Sequence, residues 1–321
     1  MAIKVLGKTV INDSENLENV NVVTLASHVE VLSPTPPMSG TVSGYSTGGQ
    51  ITPSLSRIND INKWPFSSDT NASDVGDLSN SIDGASAQSS QTHGYSSGFN
   101  LGNVIQKFPF ATDTNASQIG ALAVNTSFSS GQSSIENGYA SGGNPTTTNL
   151  QKFPFATDTN AANIGSLTIG RGFRPASQSS IENGYATGGW PSASTIDKFP
   201  FATDTNATNI GNITSTRYSM SGMSSQENGY LAAGNSYENI IEKFPFASNG
   251  NSSDVGDLTV GRYGSSGNNS TVSGYANGGN APPATPQVYN IIDKFPFASD
   301  SNATDVGDLI TASRNRASQQ D

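Results

Sequence analysis

Hydrophobic side chains in this chain come in short clusters that recur in a fixed order. The most regular is Lys-Phe-Pro-Phe, starting at Lys107, Lys152, Lys198, Lys243 and Lys294, with Lys-Trp-Pro-Phe at Lys63. A Gly-Tyr and small residues precede each copy, as in Gly184-Tyr185-Ala186-Thr187-Gly188-Gly189. A turn such as Asp204-Thr205-Asn206 follows, and then Val/Ile-Gly-x-Leu/Ile. Phe199 and Phe201 lie two apart, so on a strand they share a face and can pack on a neighbouring sheet. Pro200 removes a ladder donor and belongs at a strand end. Asp204 and Asn206 are expected to accept local backbone hydrogen bonds in the turn. Each unit therefore predicts four strands: one after the Arg174 position, one carrying Gly-Tyr, one ending in Lys-Phe-Pro-Phe, and one carrying Val/Ile-Gly.

The six units stay in register. From the repeat Lys to the next Gly is always thirteen positions, and from that Gly to the next Tyr nineteen, or twenty once. Four-stranded units that cannot bury both faces alone close radially, so the expected fold is all-β, a six-bladed β-propeller spanning 41–321. The tail Arg316–Asp321 has the place of a first strand with no Gly-Tyr after it, and unit one lacks a clear first strand. The simplest closure has the tail complete unit one, with Pro36 to Val42 as the competing source. Residues 34–40 read as a Pro-rich linker. In residues 1–33, Ile3, Val5, Val10 and Ile11 flank Gly7-Lys8 as in a short hairpin. That segment is either a flanking strand pair or an attachment element.

Composition narrows the chemistry. A formal net charge of -10 leaves no basic stripe for nucleic acid. With no cysteine, neither disulfides nor thiolate metal sites hold the fold. The first residues lack the apolar core of a signal peptide, and no run is long enough to cross a bilayer, so synthesis in the cytoplasm without membrane insertion is expected. The two histidines, His28 and His93, lie far apart, and no nucleophile motif supports a Ser-His-Asp site. The repeated Asp-x-Asn turns lack the ligand count of a calcium loop. No carboxylate breaks the repeat as a catalytic acid would. The expectation is a protein that is not an enzyme and takes no cofactor or metal.

Variation concentrates in the connection between strands two and three. It is longest in units one and six, where Gly49 to Lys63 is fourteen positions and Gly279 to Lys294 fifteen, against nine elsewhere. Residues 50–59 and 280–290 are expected to form a ridge on one face, since loops on a rigid scaffold carry binding residues. Candidate ligand- or partner-binding residues are Arg171, Arg217, Arg262, Arg314, Trp190, Tyr237 and Tyr289. The alternative for the arginines is pairing with nearby carboxylates or carbonyls.

The Gly-Tyr-x-x-Gly-Gly strand end, with its aromatic-Pro strand some ten residues on, resembles the Kelch family of β-propellers. A Val/Ile-Gly element stands where that family usually has a Trp. The stretch Lys-Phe-Pro-Phe-Ala-Thr-Asp-Thr-Asn-Ala is similar to repeats in structural proteins of tailed phages, especially those of marine cyanobacteria. The leader from Ala2 to Leu17 resembles the N-terminal segment of phage tail-fibre-like proteins. The resemblance implies a virion protein docked to other virion proteins through residues 1–33, with the propeller offered to a host-surface glycan or protein. A capsid decoration knob, a glycan-active enzyme and an intracellular adaptor are the alternatives.

Overall fold

The computed structural model of the protein describes residues 3–5, 8–11, 39–191, 193–281 and 287–321. Contacts divide the chain into Met1–Pro34 and Thr35–Asp321. In the first unit Ile3–Val5 pairs antiparallel with Lys8–Ile11.

The second unit is a six-bladed β-propeller: its described residues form six four-stranded antiparallel sheets. Blade four is representative, with strands Ala176–Ser179, Asn183–Thr187, Thr195–Pro200 and Thr208–Asn212 in spatial order. The first strand of each blade is innermost, and neighbouring inner strands touch around the ring. The inner strands of blades two to six are Ser86–Ser89, Ser130–Ser133, Ala176–Ser179, Ser221–Ser224 and Ser266–Asn269. Blade one takes its inner strand from Ala317–Gln320, which pairs with Ser43–Gln50 so that Ala317 faces Thr47 and Gln320 faces Gly44. Thr41 and Val42 do not supply that strand. Their N–H groups donate to the Asp321 carbonyl at 2.6 and 2.9 Å, so the chain enters the ring beside its last residue.

The recurrent residues are mostly explained by contacts between blades. Tyr139 of blade three is fully buried and stacks on Phe201 of blade four at 4.8 Å, with Phe199 at 5.6 Å. The same contact passes around the ring and closes from Tyr275 to Phe66 at 4.9 Å. Glycine precedes each of these tyrosines because the blade's own aromatic lies across it: a Cβ on Gly184 would stand 2.3 Å from the Phe199 ring.

The Asn of the turn has a role other than the local one expected. Asn206 Oδ1 accepts the Ser166 N–H of the preceding blade at 3.0 Å, and the equivalent bond occurs at all six boundaries. The backbones there are so close that a Cβ on Gly211 would meet the Gly250 carbonyl oxygen at 2.0 Å. This fixes the thirteen-residue spacing. The repeat lysines reach the same turns. Lys152 pairs with Asp204 at 2.5 Å, and in blade four Lys198 donates to Asn249 at 3.3 Å.

A further ring of backbone bonds encircles one mouth of the central channel. Two residues before each inner strand stand Gly84, Phe128, Arg174, Ser219, Gly264 and Asn315, all with φ between 55° and 69°. Each donates its N–H to the carbonyl of the equivalent residue one blade back, at 2.5–3.1 Å, until Gly84 donates to Asn315. Six backbone bonds thus form a closed circle.

Candidate functional site

The loops from each fourth strand to the next inner strand lie on one face with the loops between strands two and three. Backbone bridges join them: Gly172 with Trp190, Tyr263 with Asn280, Ser127 with Asn144, and Gln50 with Arg314. This is the face on which the candidate ligand residues were expected together.

Only one repeat boundary breaks the spacing. Gly165 to Tyr185 is the interval of twenty, and the extra residue falls in Gly172-Phe173-Arg174. Phe173 and Arg174 both take positive φ, 50° and 57°, a conformation that non-glycine residues adopt at some cost. The result is a raised aromatic. Phe173 is 37% exposed and stacks on Phe128 at 5.8 Å. It meets Trp190 edge-on at 6.4 Å and Tyr218 at 6.3 Å, while Trp190 and Tyr218 stand 5.5 Å apart. Trp190 is 43% exposed. Four aromatic side chains therefore form one partly exposed group at the single irregular boundary.

A second group lies one to two blades on. Tyr237, 44% exposed, packs edge-on against Tyr263 at 5.4 Å. Arg314 is half-buried. Its Nη1 donates to the Tyr263 hydroxyl at 2.7 Å, and its Nη2 and Nε donate to Gln50 Oε1 at 2.8 and 3.2 Å. Tyr289 is half-buried, its N–H donating to the Gly279 carbonyl at 2.8 Å. The ridge expected from 50–59 and 280–290 is reduced on the first side, since only 51–56 connect the strands Ser43–Gln50 and Arg57–Pro65. On the second side Asn280–Ala281 pairs with Gln287–Val288, and residues 282–286 lie outside the described residues.

Arg171, Arg217 and Arg262 lie inside the fold. All are buried, and they pair with Asp197, Glu242 and Asp293, which are buried too. Arg171 also donates to the Gly188 and Thr195 carbonyls at 2.7 and 2.8 Å. Burial pushes the Arg171 and Arg262 guanidiniums down from the usual arginine range, and the carboxylate beside each opposes that. The pairing alternative holds for these three. Arg316, not Arg314, is a further buried arginine paired with a carboxylate: its Nη2 donates to Asp60 at 2.8 Å and its Nη1 to Ser313 Oγ at 2.9 Å.

These pairs follow a rule that was present in the sequence. The acid always precedes the repeat Lys, and the arginine always stands six residues after the repeat Gly. Where that second position is Ile82, Thr126 or Ser313, the residue before the Lys is Gln106, Gln151 or Asn62 instead. All six side chains before the Lys are fully buried. A bulge turns them inward: Ile196 faces Gly211 but Asp197 faces Asn209, leaving Ile210 as the extra residue. In each blade this side chain accepts a backbone N–H from the blade before, as Asp197 does from Thr168 at 2.8 Å.

Among the described residues no three His, Asp or Glu side chains come together. His93 contacts Thr92 Oγ1 at 2.8 Å and is held below the usual histidine range, chiefly by burial. His28 lies outside the described residues. No protein-family model matches the chain, and no curated protein matches its sequence.

Proposed function

We propose that this protein is a non-enzymatic component of a tailed-phage virion, held to the particle through residues 1–33, whose propeller recognises the host surface. Recognition rests on one observation: Phe173, Trp190, Tyr218 and Phe128 gather at the only boundary where the repeat is broken. A repeated residue serves the repeat, whereas this group exists once and is partly exposed. Aromatic faces at the surface of a rigid scaffold suit the apolar face of a sugar ring or a protein side chain. The virion setting rests on the resemblance of the Kelch-like units and of the leader to phage structural proteins.

Two measurements test the two halves. Antibody labelling of purified particles should locate the protein on the tail or capsid; its absence from particles would refute the setting. Purified protein carrying Trp190→Ala and Phe173→Ala should bind host envelopes at least tenfold more weakly with an unchanged melting temperature. Equal binding would remove the aromatic group from the reading.

A further inference from the structure

The central channel is walled by small and neutral residues. Its lining includes Ser86, Ser130, Ser177 and Ser221, and no Asp or Glu. Its volume is about 70 Å³. A water needs roughly 10–15 Å³ of such space, so the bore has room for several waters or one compact ion.

Among the described residues one charged side chain lines it. Arg174 belongs to the circle of backbone bonds at the mouth, just before the inner strand of blade four. Its Nη2 donates to the Arg316 carbonyl at 2.6 Å. Arg316 directly precedes the inner strand of blade one, the blade opposite, so the guanidinium spans the bore. The residue is only 8% exposed, and its Nη1 has no hydrogen-bond partner among the described residues. The hydroxyl of Ser129, at the same mouth, lines the channel and is buried without a partner as well.

The contrast with the other buried arginines is the decisive point. Arg171, Arg217, Arg262 and Arg316 each have a carboxylate in contact. Arg174 has none. Asp83 acts on it only through its field, and the Asp83 carboxylate is already bound to Arg57 Nε at 2.8 Å. Burial without a partner pushes the Arg174 guanidinium down to about 10. An arginine remains charged at neutral pH even so. A buried cation without a counter-charge is costly, and a planar guanidinium offers paired donors to an anion.

We propose that the channel holds a small inorganic anion, of halide to phosphate size, on Arg174 Nη1 and the Ser129 hydroxyl. The anion supplies the counter-charge that the sequence provides for the other four arginines and omits here. The site is independent of the aromatic group and of any virion role.

The full chain crystallised and soaked in bromide should show anomalous density within hydrogen-bonding distance of Arg174 Nη1. In solution, chloride or phosphate at constant ionic strength should raise the melting temperature saturably in the low millimolar range. Arg174→Met should abolish that rise and Arg174→Lys should retain part of it. The chloride and phosphate series separate a halide site from an oxyanion site. If Arg174→Met does not fold, the bromide density and the anion series on the unaltered protein decide alone. Water only at Nη1, or bromide density without a millimolar melting response, overturns the proposal.

Discussion

A single buried position in each blade is filled in one of two ways. In blades four, five and six an acid before the repeat Lys meets an arginine, while in blades one, two and three an amide stands there. A buried ion pair is not in itself strongly stabilising, but removing one partner costs about 3–5 kcal/mol, because the other charge is left uncompensated. Arg171→Thr alone should therefore lower the urea midpoint sharply. Adding Asp197→Gln rebuilds the Thr126–Gln151 combination of the previous boundary and should recover most of the loss. If the double variant is no more stable than the single one, the two positions are not coupled as described. The rule was legible without coordinates, since the Asn-Lys and two Gln-Lys pairs of the first three units give way to Asp-Lys, Glu-Lys and Asp-Lys in step with the arginines. What the sequence could not show was burial. Arginines six residues after a glycine look like surface residues until the bulge at Asp197 is known to turn its side chain inward.

At the level of strands, the second strand of each blade carries the tyrosine that packs on the following blade. Burial raises all six of these tyrosines above the usual phenol range, with Tyr95, Tyr185 and Tyr230 pushed up to about 12. An unfolded tyrosine ionises near 10, so between about 10 and 12 the unfolded chain binds fewer protons than the native one. Stability is full below pH 10 and falls as pH rises through that window. Of the ten tyrosines, these six should contribute their share of tyrosinate absorbance only as the far-ultraviolet dichroism collapses. Ionisation of all ten tyrosines near pH 10 with the sheet signal intact would contradict this packing. The Gly-Tyr and Phe-Pro-Phe elements announced their strands because period two and the proline are local signals. The Asn of the turn did not announce its partner. Asn206 bonds Ser166 forty residues earlier, and six similar units conceal which neighbour an exposed acceptor will meet.

For the molecule as a whole, the number of blades followed from the count of units in register, and closure by Ala317–Gln320 followed from a first strand missing at one end and spare at the other. The singular face was only half visible. The interval of twenty marks the insertion, but spacing alone does not say that Phe173 rises beside Trp190 while Arg174 turns down into the bore. Those directions come from two consecutive positive φ angles, which the residue types Phe and Arg do not suggest.

The bond from Thr41 to Asp321 puts the start and finish of the ring side by side. A short Gly/Ser connector could therefore join them, and new termini could be opened in another exposed turn, for instance between Thr203 and Asp204. Such a circularly permuted chain, built from residues 41–321 alone, keeps all six boundaries. It should refold with a melting temperature within a few degrees of the parent, whereas a similar opening within an inner strand should not yield folded protein.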